Sequence, residues 1–379
     1  MKVPPQNILI TDSTDIYGGG EFYVLELARE LQRRGHHVLV ACKPSNLLYQ
    51  KCSDAGVPVA AVDFPASGRL LRFIGELKDL IRLHKITLLH SNSNYDRTAG
   101  AIAAALCGVR HVTNVHSFHS IQFNLTHWMR NRFATDRIIV DGYCVRDLLA
   151  AEDGIPPAKV SVLHLGVNPD VMKKDDAARR RIRLEFGIRD DEIVVGNVAR
   201  MVPMKGQEFL IEAFARVVRH NGRARLLIVG DGEQRRTLET LARSSGAEAR
   251  VIFAGFRDDL IALYSAFDIY AHSSVEGGGE TFPFAVLQAL AQELPAVVTR
   301  VGDVAEMIAE GENGYVVPDR DAGALAGPIQ ALCEDAELRR RMAANSRERL
   351  LRLFTTGRMV DDVEGIYGAA LGLAGNAEG

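Results

Sequence analysis

Apolar residues along this chain fall into two alternating patterns. Short runs apolar at consecutive positions recur as NILIT, HVLVAC, VPVAAV, ITLLHS, HVTNVH, RIIVD and VSVLH. Between them lie longer stretches of helical spacing, such as EFYVLELARELQRRG and RLLRFIGELKDLIRLH. A run apolar at both odd and even positions reads as a strand covered on both faces, and the amphipathic segments are the helices that cover it. The pattern predicts a parallel sheet with helices on each side. It then restarts, with strands EIVVGNVA, ARLLIVG, VIFAG, DIYAHSS, PAVVT and GYVVP and helices GQEFLIEAFARVVRHNG, EQRRTLETLARSSG and FAVLQALAQ. The charged stretch VMKKDDAARRRIRLEFGIRDDE divides the two series, which puts a linker near residues 168–178 and domains at 1–170 and 171–355. The closing segment, 356–373, has helical spacing and is expected to pack back on one of the domains, although its glycines weigh against a long helix. The expected fold class is α/β: two doubly wound Rossmann-like domains facing across a cleft, with ligands beyond the carboxyl ends of the strands.

Composition narrows the function. A chain of 379 residues exceeds one ordinary core, and 47% apolar with 25% charged residues is the balance of a folded globular protein. A net charge of -3 gives no general drive toward nucleic acid. The five cysteines (Cys42, Cys52, Cys107, Cys144, Cys333) are scattered and read as free thiols of a reducing compartment. No apolar run approaches the roughly 18 residues of a membrane span, and MKVPPQNILI lacks a signal-peptide core. The expectation is a cytoplasmic chain, at most peripheral at the inner face of the membrane.

Candidate chemistry clusters at strand ends. The first strand runs into TDSTDIYGGGEF, where Gly18, Gly19 and Gly20 would let backbone N–H groups approach a ligand ahead of a helix; the plainer reading is a tight turn. In VARMVPMKGQEFLIEAF, Arg200 and Lys205 flank a proline turn ahead of another helix, a pairing suited to a diphosphate or else two solvated loop cations. The stretch EGGGETFPFAVLQALA places Glu280 ahead of a helix and Gln288 about two turns along the same face. A carboxylate at a strand tip can bind sugar hydroxyls and an amide suits a diol, but a helix cap and a solvated face account for the same residues as well. His116 ends a strand and His119 follows it; a lone strand-end histidine is more often structural. Asp319-Arg320-Asp321 resembles a metal-binding DxD but sits where a helix cap is expected. GDG at Gly230–Gly232 is a weak dinucleotide signal, and no cluster has metal-ligand spacing, so no metal is expected.

Taken in order, YGGGEFYVLELARELQRRGHHVLV, ATDRIIVDGYCVRDLL, LHLGVN, VARMVPMKGQEFLIEAF, ETFPFAVLQALA and VGDVAEMIAEGENGYVVPDRD resemble the retaining family 4 glycosyltransferases, which have the GT-B fold. The resemblance implies an N-terminal acceptor-binding domain and a C-terminal nucleotide-sugar-binding domain. It implies transfer of a sugar from a nucleotide-diphosphate donor, UDP-sugar first, to a hydroxyl with retention, without a cofactor. By position, Gly19 and Gly20 would approach the donor phosphates and acceptor. His116 would contact the transferred sugar, and Arg200 and Lys205 would hold the diphosphate. Glu280 would bind sugar hydroxyls, with Thr281, Phe282 and Pro283 near sugar and phosphate; Arg257 and Glu306 would contact the nucleotide. Gln288 stands where the family has a second glutamate that grips the ribose, a departure expected to weaken the donor by on the order of 1 kcal/mol or to signal another nucleotide. Glu276 rivals Glu280 for the sugar-binding role.

Two competing readings belong to other classes: a sugar-nucleotide epimerase on the same fold, and a catalytically weak nucleotide-sugar-binding protein. The acceptor is expected to be a saccharide or a lipid-linked compound, in cell-envelope polysaccharide or lipopolysaccharide synthesis. Two patches bear on membrane contact. SGRLLRFIGELKDLIRLHK mixes apolar residues with Arg69, Arg72, Lys78, Arg82 and Lys85, as a helix lying on anionic lipid does, although a crossover helix packed on its sheet accounts for it better. HWMRNRF, at 127–133, is a second basic and aromatic patch.

Overall fold

The computed structural model describes residues 3–15, 17–64, 70–277 and 279–373. Each apolar run forms a strand: β1 Asn7–Asp12, β2 His37–Cys42, β3 Val59–Ala61, β4 Leu88–Ser91, β5 Arg110–Val115, β6 Arg137–Val140 and β7 Val160–Val162, then β8 Ile193–Val198, β9 Ala224–Val229, β10 Val251–Gly255, β11 Ile269–His272, β12 Ala296–Thr299 and β13 Gly314–Val317. They assemble into two sheets, ordered β3-β2-β1-β4-β5-β6-β7 and β10-β9-β8-β11-β12-β13. Neighbouring strands run parallel throughout, with β1 pairing Ile8 to Val38 on one side and to Leu88 on the other. The strand order reverses beside β1 in the first sheet and beside β8 in the second, so β1/β4 and β8/β11 are the switch points where adjacent crossovers depart to opposite faces.

The chain divides into two compact units. One holds the residues up to Gly166 together with those from Thr356 onward; the other is Val167–Thr355. Both are Rossmann-like. In the second, the helix Gln207–His220 buries the stripe Leu210, Ile211, Phe214 and Val217 against β8 and β9. The charged stretch is not all linker. Asp175 caps a helix, Asp176–Glu185, that belongs to the second unit. Arg179 and Arg183 both bind the Asp268 carboxylate, at 2.6 Å each, so charges that read as solvated hold this helix in place.

The terminal segment packs on the first unit as one helix, Thr356–Ala370, its glycines notwithstanding. Arg34 accounts for much of this. Its guanidinium binds Glu30, Asp361, Glu364 and the Gly357 carbonyl, and His36 reaches the other oxygen of Glu364 at 2.8 Å. At the far end Tyr367 is fully buried and bonds His90 at 2.6 Å.

The helix Leu70–Leu83 turns Phe73, Ile74, Leu77 and Ile81 into the first unit's core, as a crossover helix does. Leu71 and Leu83 stay exposed, and Arg69 lies outside the described residues. No described helix is long and apolar enough to cross a membrane.

Arg34→Met should loosen the terminal helix and cost about 2 kcal/mol, since charge-assisted bonds are worth more than neutral ones but this site is partly solvated. Urea denaturation with limited proteolysis checks it: the C-terminal helix should become the first segment cut.

Candidate functional site

Each unit gathers polar side chains at the carboxyl ends of its strands. In the first, they follow the strands one by one: Asp12 ends β1, Asn92 follows β4, His116 follows β5 and Asp141 follows β6. His116 Nδ1 bonds the Asp141 carboxylate at 2.8 Å, and its Nε2 lies 2.8 Å from Asn92 Oδ1. Asn92 Nδ2 donates to Asp12 at 2.7 Å and to the Gly20 carbonyl at 3.3 Å. A Cβ on Gly20 would lie 3.5 Å from that amide and 3.7 Å from the His116 ring. The glycine loop and His116 are thus brought together. Burial opposes a charge on His116, but the Asp141 carboxylate outweighs it and raises the pKa.

A chain of bonds extends this cluster to the terminal helix. Burial pushes His90 down to about 4, so it is neutral at physiological pH. A neutral His90 that donates from Nε2 to Asn114 Oδ1, at 2.8 Å, must accept from the Tyr367 hydroxyl at Nδ1. Asn114 Nδ2 in turn donates to Asn92 Oδ1 at 3.1 Å.

The glycine loop is a helix start. Gly18 is the N-cap of Gly19–Arg33, and Glu21 accepts from the Gly18 N–H at 2.6 Å and from the Thr14 hydroxyl. Thr14 also faces Asp12, so two carboxylates bracket one hydroxyl. Burial, with Asp12 nearby, raises the pKa of Glu21.

In the second unit the groups lie around β8 and β11. Lys205 closes a short 3-10 turn, Pro203–Lys205, and Gly206 follows at φ +55° as the N-cap of the helix Gln207–His220. Gly206 is demanded by its surroundings, because a Cβ there would sit 2.2 Å from the Ser273 carbonyl. Ser273 also donates to the Lys205 carbonyl at 2.9 Å, and the Val275 N–H to the Met204 carbonyl at 3.0 Å, so the lysine loop is laced to the end of β11.

Lys205 Nζ forms an ion pair with Glu280, and Ser274 Oγ donates to the same carboxylate at 2.8 Å. His272, the last residue of β11, brings Nε2 to 3.4 Å from it. Burial alone would raise the Glu280 pKa, but Lys205 and His272 hold it well below the usual carboxylate range. Glu280 does not cap the helix ahead of it. The N-cap of Phe284–Ala291 is Pro283, with no side-chain cap, so the plainer reading of Glu280 fails here. Glu276 is exposed; its backbone is pinned to the Asp319 carboxylate and the Arg320 side chain at 2.8 Å each. Of the rival glutamates, Glu280 is therefore the one beside Lys205. Gly278 of this loop lies outside the described residues. Asp321 caps the helix Ala322–Glu334, as expected of that motif.

The remaining candidates divide. Thr281 and Phe282 are buried directly after Glu280, and Pro283 is partly buried. The turn after β12 packs beneath them: Gly302, at φ +52°, leaves room for the Glu280 carbonyl, which a Cβ would meet at 2.4 Å. Gln288 is 7% exposed, and no hydrogen bond to its amide group occurs among the described residues, so it is not a solvated face. Arg200 is exposed, and its carbonyl accepts from Gln207 at 3.1 Å. Arg257 is committed elsewhere, forked onto Asp259 at 2.8 Å and onto Glu185. Glu306 lies partly buried in the short turn Val304–Met307.

Sequence reasoning missed Asp141, Asn92 and Asn114 in the first unit and His272 in the second. His272 is 98% buried, with Nε2 facing the Glu280 carboxylate and Nδ1 without a hydrogen-bond partner among the described residues. The signal was present: each is a polar residue at the tip of an apolar run.

Comparison with known proteins follows this division. A model of glycosyl transferases group 1 matches residues 178–349, and a model of glycosyltransferase family 4 matches 17–171. An uncharacterized glycosyltransferase of Methanocaldococcus jannaschii is 26% identical over 95% of this chain and 96% of its own. A UDP-Gal:alpha-D-GlcNAc-diphosphoundecaprenol alpha-1,3-galactosyltransferase of Escherichia coli is 25% identical over 86% and 87%. Relatives at 30–35% identity align along about half of their own length. Among solved structures, Anabaena HepE in complex with UDP-glucose superposes with a TM-score of 0.84 at 22% identity, over 96% of this chain and 100% of that one. The fold is GT-B. Both family models are of glycosyltransferases, so the epimerase alternative is not favoured.

Two outcomes follow from the geometry. Gly206→Ala should cost more than about 2 kcal/mol and displace the Lys205 loop, because it adds a backbone clash to an unfavourable φ. The His116–Asp141 pair has a sign. A folded pKa raised above the unfolded value near 6.5 stabilises fully below that value and fades as pH rises through the folded one. Asp141→Asn should therefore destabilise by about 1–3 kcal/mol near pH 6 and less near pH 9, in denaturation curves at both; equal losses would contradict the pair.

Proposed function

The chain belongs to the group 1, family 4 glycosyltransferases, and from that premise we propose that it moves a sugar from a nucleotide-diphosphate donor, UDP-sugar first, to a hydroxyl acceptor with retention of configuration, in cell-envelope glycan synthesis. The observation that carries this reading is the Lys205–Glu280 pair at the β8/β11 switch point, beside a helix whose first turn is open. A cation and a sugar-binding carboxylate held together are what a sugar diphosphate requires at adjacent atoms.

In the reaction, the bond from the anomeric carbon to the diphosphate oxygen breaks while the acceptor oxygen bonds to the same face of that carbon. The acceptor proton leaves with the diphosphate. Negative charge grows on the departing oxygen, so the protein's task is electrostatic. Lys205, Arg200 and the N–H groups ahead of Gln207–His220 meet that charge. Glu280 takes sugar hydroxyls, with Ser274 and His272 fixing its carboxylate. Gly19 and Gly20 allow close approach in the acceptor unit, and His116, whose pKa Asp141 raises, contacts the transferred sugar there. Gln288 takes the ribose diol as an amide. UDP-bound HepE and the diphosphoundecaprenol-dependent galactosyltransferase support the donor and acceptor classes.

Lys205→Ala should lower kcat by roughly 10²–10³, the loss expected of one preorganised donor to the developing charge. Thermal shift against UDP-, GDP- and ADP-sugars tests the donor, because ligand bound to the folded state raises Tm, and NMR of the product's anomeric centre tests retention. Near-normal turnover in Lys205→Ala, or an inverted product, would refute the mechanism.

A further inference from the structure

The hydrogen bonds that join the terminal helix to the strand-end site of the first unit all run in one sense. Tyr367 of that helix, His90 of β4 and Asn114 of β5 are fully buried. An amide or an imidazole can be satisfied in either of two senses, but here each link leaves one choice for the next. Asn92 Nδ2 faces two acceptors, the Asp12 carboxylate at 2.7 Å and the Gly20 carbonyl at 3.3 Å, so the donor end of that amide points there. Asn92 Oδ1 is then turned toward Asn114, whose Nδ2 donates to it at 3.1 Å. That leaves Asn114 Oδ1 to accept from His90 Nε2 at 2.8 Å. His90 is neutral, pushed down to about 4 by burial, so its Nδ1 carries no proton and accepts from the Tyr367 hydroxyl at 2.6 Å. The sense is unbroken from Tyr367 to Asp12.

A polar chain buried for stability alone has no reason to end at a ligand site. This one ends at two groups that face it. Asn92 holds the Gly20 carbonyl of the glycine loop. Asn92 Oδ1 and Asn114 Nδ2 both touch His116 Nε2, at 2.8 and 3.1 Å, so that nitrogen has a partner whether or not it carries a proton. Asp141 holds only the other ring nitrogen. An imidazole held at one nitrogen can swing about that bond, and one held at both has a single orientation. His116 needs the support, because it stands past the end of β5 and residues 117–124 contain no helix or strand. The backbone of Asn114 is fixed separately, by Arg97 donating to its carbonyl at 2.8 Å. What His90 and Tyr367 add is the sense of the Asn114 amide.

Packing follows the same line. Tyr23 sets its ring at steep angles to both imidazoles, with centroids 5.4 Å from His116 and 6.3 Å from His90, and Tyr367 meets His90 at 5.7 Å. Tyr23 lies in the first turns of the helix that starts at Gly19, so the glycine loop, His116 and the terminal helix share one packed cluster.

We propose that Tyr367 and His90 are positioning residues for the strand-end site: through Asn114 and Asn92 they fix the ring of His116 and the carbonyl of Gly20. The inference rests on the reading of His116 as a contact to the transferred sugar. It makes the terminal helix part of this unit's site, beyond the bracing that Arg34 supplies through Asp361 and Glu364.

Histidine ring nitrogens report this directly. In long-range 1H–15N spectra of the unaltered protein, His90 should be the neutral Nε2–H tautomer. Tyr367→Phe, which keeps the packed ring, should move the ring signals of His116, beyond the intervening His90 and Asn114. With UDP-glucose as the donor probe and release of UDP as the readout, Tyr367→Phe and His90→Leu should lower kcat about tenfold and leave KM within about twofold, since neither side chain touches the donor. His90→Gln, whose amide can donate from the place of Nε2, should restore most of the rate that His90→Leu loses. An Nδ1–H or charged His90, His116 signals unmoved by Tyr367→Phe, or equal rates for His90→Gln and His90→Leu overturns the inference. If Tyr367→Phe does not fold, the His90 tautomer and the Gln–Leu comparison decide; if UDP-glucose is not turned over, the spectra decide. His116→Ala separates the two readings. Turnover abolished in His116→Ala but intact in His90→Leu rejects the positioning role alone, and full turnover in His116→Ala rejects the sugar contact and the positioning role with it.

Discussion

A buried charge has to be met by another charge, and this rule organises the molecule. Burial works against a charge on Glu280, and Lys205, with His272 beside it, outweighs burial and holds the carboxylate well below the usual range. The pair also fixes the loops that carry it. Ser273 and Val275 hold the lysine loop by its backbone, Ser274 holds the carboxylate, and Gly302 makes room beneath. The same rule secures the terminal helix through Arg34 and the charged helix through Asp268.

Parallel sheets dictate where these pairs can be. Their strands are covered on both faces, so polar side chains are excluded along most of their length and collect at the tips. Every tip then faces one edge of the sheet. Residues far apart in sequence, such as Asp12, Asn92, His116 and Asp141, become neighbours there without any special arrangement. A switch point opens space at that edge, and the groups around it are the ones a ligand can reach.

The strands, their order of appearance and the division into two α/β units were legible in the sequence, because a continuous apolar run of four to six residues between amphipathic helices is what a strand buried on both faces requires. The resemblance to family 4 glycosyltransferases was legible too, from short motifs in a fixed order. The linker was harder. Residues 176–185 look solvated by charge, yet Arg179 and Arg183 find Asp268 more than 80 positions away. The glycines of 356–370 lowered the expectation of a helix, yet tertiary bonds from Arg34 and His90 overrode propensity. Asp141, Asn92 and His272 stood at strand tips and Lys205 was a candidate, but their pairing with His116 and Glu280 was not legible for the same reason. Nothing near Glu280 in the chain announces Lys205, and His272 reads as an ordinary strand residue until the loop folds over it.

Gln288 shows how the charge rule extends to specificity. On the proposed reading the donor brings two or more negative charges to a site whose own charges are Arg200, Lys205 and Glu280. A second carboxylate at position 288 would grip a diol more firmly, by about 1 kcal/mol over an amide. It would also add like-charge repulsion toward the diphosphate, which a partly buried site screens less than water does. The amide gives up the first effect and escapes the second, and the two are opposite in sign. Gln288 then need not mean a failing enzyme. On that reading it would shift recognition from the ribose toward the phosphates, and a site so balanced would depend more on Lys205, which already pairs with Glu280.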